Sequence, residues 1–332
     1  NTTGLQVPEH RNSVCAGHTP SLLIFRDGKT SDSPIECVGK FEFTPEAIEA
    51  ACGFSRTVPG TTAVGVDVLL DGHIAARLRH NKGSGLRRDI ETWVAILDKD
   101  LTQIRRCAKI GNGTSTNGVP MEPGPDGSTI FYVATETELI AMRYQPTQNK
   151  IERLSAVPVD YRSRTGTTPT LLTSGAYGWV ITVDARCAVG NVFTGSITCD
   201  AEDTSPSRLV AIPRPLGIGP TAMIELPNFI DTVENSPAVL GNDIVVSNYS
   251  GYTPDGNKDG VPHRATGIAK LSWDERQRRF RLDWTNPGIQ FSGVPTISAS
   301  ANMVYGSGTE PDGKTYFYGL RLRTDSAGPA GA

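Results

Sequence analysis

Short apolar runs recur along the chain and are separated by Gly, Asp, Asn and Pro. Runs of this kind, about four to eight residues long and bounded by turn residues, are typical of β-strands. Their spacing of about ten residues is typical of sandwiches, barrels and propellers. The pattern predicts strands over 63–70, 93–97, 130–134, 139–144, 179–183, 209–212, 244–247, 268–272, 279–284, 303–306 and 316–322.

One segment near the N-terminus has a helical pattern instead. Thr44 precedes Pro45 and an early acid, and Gly53 follows the last apolar residues of the segment. Thr is a good N-cap, Pro suits the first turn, and Gly commonly ends a helix. The sequence therefore predicts one short helix between Thr44 and Gly53.

The composition agrees with a turn-rich fold and excludes several other classes. The 332 residues include 35 Gly and 23 Pro, with 38% hydrophobic residues and a net charge of -3. Collagen requires Gly at every third position, and this chain lacks such a period. The chain is also too apolar for a disordered protein. Helical bundles are poor in Gly and Pro. The charge argues against nucleic-acid binding, and no apolar run approaches the ~18 residues of a membrane span.

A proline-centred repeat organises the predicted strands. The frame x-Pro-x precedes an apolar stretch, a turn and a strong β run, centred on Pro120, Pro169, Pro237 and Pro295, with a fifth copy at Pro59. In each copy, another apolar run follows the strong β run, and residues 93–97 have the corresponding position after Pro59. The four prolines are 49, 68 and 58 residues apart. Because propeller blades span roughly 40 to 50 residues, the repeat predicts blades with loop insertions.

This repeat resembles that of the PQQ-like and YVTN-type β-propellers. Residues 236–247 carry the resemblance best, residues 294–308 come next, and the likeness extends over about 90–323. The resemblance implies a β-propeller, and the chain length predicts six or seven blades, so that we expect an all-β, six- or seven-bladed β-propeller with an N-terminal arm and one short helix. A quinone cofactor is not expected, because the chain lacks a vicinal cysteine pair and its tryptophans do not recur at one blade position: Trp93, Trp179, Trp273 and Trp284.

The prediction divides the chain into three parts of a single globular domain. Residues 1–56 are expected to form an N-terminal arm with the short helix, packed on the propeller. Residues 57–323 are expected to form the propeller, and 324–332 a flexible C-terminal tail. We expect late strands to close the ring with early strands, because closure removes exposed strand edges.

The cysteines indicate the compartment. The six cysteines are Cys15, Cys37, Cys52, Cys107, Cys187 and Cys199. An even number favours three disulfides in an oxidising compartment, whereas the alternative is six buried free thiols. Cys187 and Cys199 are placed to close a local loop, and one of the three N-terminal cysteines would have to reach Cys107. Three glycosylation sequons, at Asn1, Asn112 and Asn248, permit a glycoprotein. We expect a secreted or extracellular protein, or a periplasmic one in a bacterium.

The loops before each x-Pro-x frame are expected at the mouth of the central channel, where loops carry function on a rigid scaffold. Glu234 and Asn235 form the only acid–amide pair in these loops. With Asn117, and Asp67 or Asn248, they offer the oxygen ligands that calcium prefers. The set is similar in residue type to that of calcium-dependent lactonase and phosphotriesterase propellers. The alternative is that the pair only caps backbone at a blade start.

The long connection 247–263 is a second candidate, because long loops in compact domains are often functional. Its Tyr, Asn and His residues would form a polar, aromatic wall with an acid or base near neutral pH, although a surface loop without function is the alternative. The predicted catalytic residues are Glu234, Tyr252 and His263. The predicted substrate-binding residues are Asn117, Arg164, Asn235, Asn248 and Tyr249, and the predicted calcium ligands are Glu234, Asn235 and Asn117.

Three functions fit these features. The first is a secreted enzyme (a hydrolase, lyase or isomerase) that acts on a small molecule or glycan at the channel mouth, with or without one calcium ion. The second is a non-catalytic module that binds a glycan or protein, and the third is a structural subunit. The acid–amide pair and the long Tyr/His connection favour the enzyme by a small margin.

Overall fold

Antiparallel meanders of three or four strands, a two-stranded hairpin and one α-helix make up most of the part of the chain that the structure describes. The computed structural model describes residues 2–6, 21–26, 36–53, 61–81, 90–115, 118–159, 167–174, 178–191, 196–199, 205–230, 233, 235–248, 267–289, 294–309 and 314–323. The chain divides into two compact units, Asn1–Val159 and Asp160–Ala332.

The first unit holds three sheets and the helix. The N-terminal sheet contains β1 (Thr2–Gln6), β2 (Ser21–Arg26) and β3 (Glu36–Glu42), and α1 (Pro45–Cys52) follows. The second sheet contains β4 (Thr61–Val68), β5 (Ile74–Asn81), β6 (Ile90–Leu97) and β7 (Ile104–Asn112). The third contains β8 (Met121–Pro123), β9 (Thr129–Ala134), β10 (Glu138–Gln145) and β11 (Lys150–Pro158).

The second unit repeats this plan with one inserted hairpin. One sheet contains β12 (Thr170–Leu172), β13 (Trp179–Asp184), β16 (Arg208–Pro213) and β17 (Ala222–Glu225), with the hairpin β14 (Cys187–Asn191) and β15 (Ser196–Cys199) inserted after β13. The next sheet contains β18 (Ala238–Leu240), β19 (Asp243–Ser247), β20 (Ile268–Asp274) and β21 (Arg279–Asn286). The last contains β22 (Thr296–Ser298), β23 (Met303–Thr309) and β24 (Thr315–Arg321).

The prolines of the repeat mark the starts of sheets, as predicted. Pro120, Pro169, Pro237 and Pro295 each stand immediately before the first strand of a sheet, and each of these strands has three residues. Proline fits this position because it has no backbone N–H to give to a ladder. Pro59, the fifth copy, lies outside the described residues.

The core of the first unit lies on both faces of the β4–β7 sheet. Alternate residues of β5 separate between the faces, as the period of a strand requires. Ile74 and Leu78 join Leu22 and Phe41 of the N-terminal sheet in one buried cluster, whereas Ala75 belongs to a second cluster with residues of the β8–β11 sheet. The β4–β7 sheet is therefore packed face to face between two others.

The β18–β21 sheet has the same position within the second unit. Ile244 and Leu271 face the β12–β17 sheet, whereas Val245 and Ile268 face the β22–β24 sheet with Val304. Face-to-face stacking of successive antiparallel meanders of three or four strands is propeller-like. The number of blades and the closure of a ring stay predictions.

The helix matches its prediction and is covalently tied to the β4–β7 sheet. The Thr44 hydroxyl accepts a hydrogen bond from the Ala47 amide at 3.2 Å, and Gly53 ends the helix at φ 75°. The left-handed conformation of Gly53 favours glycine. Cys52 is bonded to Cys107 of β7, which fulfils the expectation that one N-terminal cysteine reaches Cys107.

The other described cysteines are also oxidised. Cys37 and Cys187 are disulfide-bonded, and Cys187 lies directly opposite Cys199 in the β14–β15 hairpin. None of the cysteines that the structure describes is a free thiol. In the same part of the chain, no helix has the length and apolar character needed to cross a membrane.

The N-terminal sheet was not predicted as strands. The sequence interpretation placed an arm here, yet β1, β2 and β3 pair as one antiparallel sheet, and residues of β2 and β3 contribute to the core. Leu22 and Leu23 are fully buried, and Phe41 and Phe43 form an edge-to-face pair with ring centroids 5.1 Å apart. This segment is therefore part of the folded body of the first unit.

Candidate functional site

The two ends of the strands in these sheets differ in the length of the connections that they carry. In each sheet from β4 onward, short turns lie at the end where the first strand ends and the second begins, and we call this end the tight-turn edge of that sheet. The opposite end of the strands is the long-connection edge of that sheet. The tight-turn edge carries 69–73, 98–103, 124–128, 146–149, 173–178, 214–221, 241–242, 275–278 and 299–302. The long-connection edge carries 82–89, 113–120, 159–169, 185–207, 226–237, 248–267 and 287–295, with short exceptions at 135–137 and 310–314.

Two predicted site residues, Asn235 and Asn248, lie at the long-connection edge of the β18–β21 sheet. Ala238 of β18 lies opposite Val245 of β19, so this antiparallel register places Asn235 and Asn248 at the same end of the sheet. Asn235 is buried and Asn248 is fully buried. Their role in substrate or calcium binding stays a prediction.

Hydrogen bonds hold Asn248 in place. Its side-chain Nδ2 donates to the carbonyl of Phe229 at 2.5 Å, and its backbone amide donates to the carbonyl of Gly267 at 3.0 Å. These bonds join the two ends of the 248–267 connection to each other and to the 226–237 connection. Asn248 therefore orders this edge, and a buried amide in such a role is costly to replace.

The remaining predicted site residues cannot be placed in the same way. They lie outside the described residues, and they are Asn117, Arg164, Glu234, Tyr249, Tyr252 and His263. Among the residues that the structure describes, no group of three or more His, Cys, Asp or Glu side chains is arranged to hold a metal ion. Calcium binding by Glu234, Asn235 and Asn117 therefore stays a prediction.

Asp67, an alternative ligand in that prediction, belongs to a buried ion pair in the first unit. Its Oδ2 accepts a hydrogen bond from Arg77 Nη1 at 2.6 Å and another from the backbone amide of Val119 at 3.3 Å. Burial lowers the pKa of the Arg77 guanidinium, and the Asp67 charge opposes that shift. The pair connects β4 and β5 to the segment just before β8.

A charged cleft in the second unit was not predicted from the sequence. It has a volume of about 530 Å³, and its lining includes Asp243, Lys270, Asp283, Arg281, Arg323 and Trp284. Lys270 is buried, and its Nζ contacts Asp243 Oδ1 at 2.7 Å and also the Asp283 carboxylate. The cleft lies where the β18–β21 sheet meets the segment that follows β24.

A β-bulge brings Asp283 into this cleft. Lys270 lies opposite Trp284, and Leu271 lies opposite Leu282, so Asp283 has no partner residue on β20. Bulges redirect side chains in this manner and are common beside functional sites. β21 therefore contributes the Asp283 carboxylate to the buried Lys270 from the bulged position.

The charges of the cleft influence each other. Burial by itself would raise the pKa of Asp283, but hydrogen bonds from Lys270 and Arg281, with a further one from Ser272, outweigh burial and hold the pKa below its usual value. Arg323 Nε contacts Asp243 Oδ2 at 2.7 Å. The Asp283 carboxylate is therefore ionised near neutral pH, and each of the two aspartates contacts both Lys270 and an arginine.

A smaller apolar cavity of about 360 Å³ lies beside Trp179, Ile218 and Glu275. The Glu275 carboxylate accepts hydrogen bonds from the indole N–H groups of Trp179, at 3.0 Å, and Trp273, at 2.7 Å. The two indole rings are 4.6 Å apart. This arrangement satisfies two buried donors and joins two sheets, which is a structural role.

No protein-family profile and no curated protein sequence matches this chain. Among solved structures, it is similar to a protein from Lactobacillus plantarum, with 12% identity over 82% of this chain and 66% of that one and a TM-score of 0.46. It is also similar to a Glu150Asp mutant of the Synechocystis apocarotenoid oxygenase, with 12% identity over 78% of this chain and 57% of that one and a TM-score of 0.41.

A puromycin-hydrolyzing peptidase of Mycobacterium tuberculosis is similar with 10% identity, covering 98% of this chain and 44% of that one, at a TM-score of 0.43. The chain thus spans between 44% and 66% of the length of these three structures.

Proposed function

We propose that this chain is a secreted β-propeller that binds a small molecule or glycan at the long-connection edge of its sheets. The observation that carries this proposal is the difference between the two edges, because a scaffold with short turns on one side concentrates its variable loops on the other. Buried Asn235 and Asn248 support it, since they give that edge an ordered polar base.

The catalytic form of the proposal is a hydrolase, lyase or isomerase reaction. Glu234, Tyr252 and His263 are the residue types that supply general acids and bases, and Glu234, Asn235 and Asn117 would supply oxygen ligands for one calcium ion. Disulfide-bonded cysteines support the secreted location. The second form is a non-catalytic binding module that uses the same edge.

Calcium tests the metal part of this proposal. We expect calcium chloride to raise the melting temperature of the whole chain relative to EDTA, because a ligand that binds only the folded state stabilises it. Glu234→Gln should abolish this increase, since it replaces a charged ligand by a neutral one. Glu225→Gln, an exposed acid of β17, removes the same charge elsewhere and should keep the increase.

The outcomes separate the two forms of the proposal. Calcium stabilisation that Glu234→Gln removes and Glu225→Gln keeps supports the metal site. If calcium shifts no variant, the metal site is wrong. A screen of glycans and small esters by calorimetry and product detection then follows: turnover supports the enzyme, binding without turnover supports the module, and the absence of both contradicts the proposed edge.

A further inference from the structure

The charged cleft of the second unit has two aspartates and one lysine inside and two arginines at its exposed rim. Its ionised lining consists of two aspartates, Asp243 and Asp283, and three cations, Lys270, Arg281 and Arg323. The side chains of Asp243 and Asp283 are 7% and 14% exposed, and that of Lys270 is 6% exposed. Lys270 therefore lies between the two carboxylates, and the balance of the cleft is positive.

The two arginines of the cleft are exposed to solvent. The side chains of Arg281 and Arg323 are 76% and 59% exposed. Each contacts its aspartate through Nε, at 2.9 Å for Arg281 and 2.7 Å for Arg323. Among the described residues, the Nη groups of both arginines have no hydrogen-bond acceptor. Each guanidinium is thus oriented by an aspartate while four further N–H donors per side chain stay available.

An apolar surface adjoins these donors. Trp284 is half-buried, and its indole Nε1 donates to the carbonyl of Leu322 at 3.2 Å, which fixes the ring. Leu282 beside it is 42% exposed. A fixed indole next to oriented guanidinium groups combines a flat apolar platform with charge-assisted donors.

From this arrangement we infer that the cleft binds an acidic saccharide, with its oxyanion on Arg281 and Arg323 and its ring against Trp284. The guanidinium fork matches a carboxylate, sulfate or phosphate in geometry and charge. The volume of about 530 Å³ lies within the usual range for a small-molecule site. This site is separate from the long-connection edge and needs none of the residues proposed there.

Isothermal titration calorimetry of the whole chain at low ionic strength tests this inference with four probes. These are glucuronate, glucose 6-sulfate, glucose and acetate. We expect at least one charged sugar to bind about tenfold more tightly than glucose, because glucose has no oxyanion for the guanidinium groups. The same sugar should bind more tightly than acetate, because acetate has no ring to pack against Trp284. Which charged sugar binds identifies the oxyanion as carboxylate or sulfate.

Matched variants locate the binding. Arg281→Ala combined with Arg323→Ala should weaken binding of that sugar at least about tenfold, whereas Arg276→Ala combined with Arg279→Ala removes the same charge from exposed positions nearby and should leave it unchanged. Circular dichroism and melting confirm that each variant is folded. Equal losses in both double variants would show that only net charge matters and would overturn the site.

Two further results would also overturn the inference. Binding of glucose as tight as that of the charged sugars would remove the role of the arginines. Binding of acetate as tight as that of the charged sugars would show that the ring contributes nothing. If the ring packs against Trp284, Trp284→Leu with both arginines retained should weaken binding of the sugar and leave binding of acetate unchanged. Failure of every charged probe to bind contradicts the site itself.

Discussion

At the residue scale, Arg77 shows how one buried charge constrains its surroundings. The side chain is 1% exposed, whereas its partner Asp67 is 21% exposed. Arginine stays protonated in proteins, so the chain must neutralise this charge instead of removing it. The same carboxylate also accepts from the Val119 amide, and therefore the ion pair positions the entry to the β8–β11 sheet.

Asp67→Asn is therefore expected to destabilise the protein by about 3 kcal/mol, the low end of the range for a broken buried pair, because Asp67 is partly exposed. Urea unfolding measures this loss. Asp100→Asn, an exposed acid in the 98–103 turn, is the charge-matched control and should change stability by less than about 0.5 kcal/mol. A loss as small as this in Asp67→Asn would show that the pair contributes little.

The candidate-site residues also show the limit of reasoning from single residues. Lys270 follows Ile268 and Ala269 in a strand that the apolar pattern predicts, and a lysine in a buried run is a signal that a partner exists. Its partners Asp243 and Asp283 depend on strand register and on a bulge. Arg323, which contacts Asp243, lies 80 residues away in sequence. The pattern predicts the strand, whereas the cleft follows only from the pairing.

At the element scale, α1 depends on a cap at one end and a covalent bond at the other. Ile48 is its buried residue, so tertiary contact is limited for a helix of this length. Short helices are marginal in water and require such support. The Cys52–Cys107 bond provides it, because the bond anchors the last residue of the helix on β7.

The double variant Cys52→Ala/Cys107→Ala should lower stability by up to about 4 kcal/mol, the entropy of closing a loop across the 55-residue separation. Non-reducing thermal and urea unfolding measure the loss. Thr44→Ala removes the cap and keeps the bond, so it should cost about 1 kcal/mol. If the two variants lose the same amount, the bond stabilises only the local helix.

The accuracy of the strand predictions also differs between elements. Strands from β4 onward that match the prediction are bounded by Gly, Asp or Asn turns, and such punctuation can be read locally. Leu22 to Phe25 satisfy the same criterion for an apolar run, yet the cysteine-rich segment around them indicated an arm. Its burial against Ile74 and Leu78 is a long-range contact that local patterns do not contain.

At the scale of the whole molecule, paired carboxylates in both units determine the response to acid. In the first unit, burial would raise the pKa of Asp98, but hydrogen bonds from Thr102 outweigh this effect and lower the pKa. Hydrogen bonds from Lys150 and Arg143 lower the pKa of Glu152. Asp283 of the second unit has a lowered pKa through Lys270. Each of these groups is more acidic in the folded chain than in the unfolded chain.

A lowered folded pKa adds stability above the unfolded value, near pH 4, and this stability is lost as the pH falls through the folded pKa. We therefore expect the melting temperature to decline as the pH is lowered from 5 to 3, and to change little from these groups between pH 5 and 7. Asp283→Asn should reduce the slope of that decline. A melting temperature that is constant from pH 5 to 3 would contradict the expected linkage.

The tight-turn edge has a consequence for how such a protein diverges. Its turns contain Leu101, Asp126, Asn149, Arg278 and Asn302, all at positive φ between 47° and 57°, a conformation that few residues other than glycine adopt readily. An insertion there would disturb a turn whose geometry fixes strand register. In related proteins, insertions and deletions should therefore accumulate in the connections of the long-connection edge. Ligand recognition can then change between lineages while the sheets stay the same.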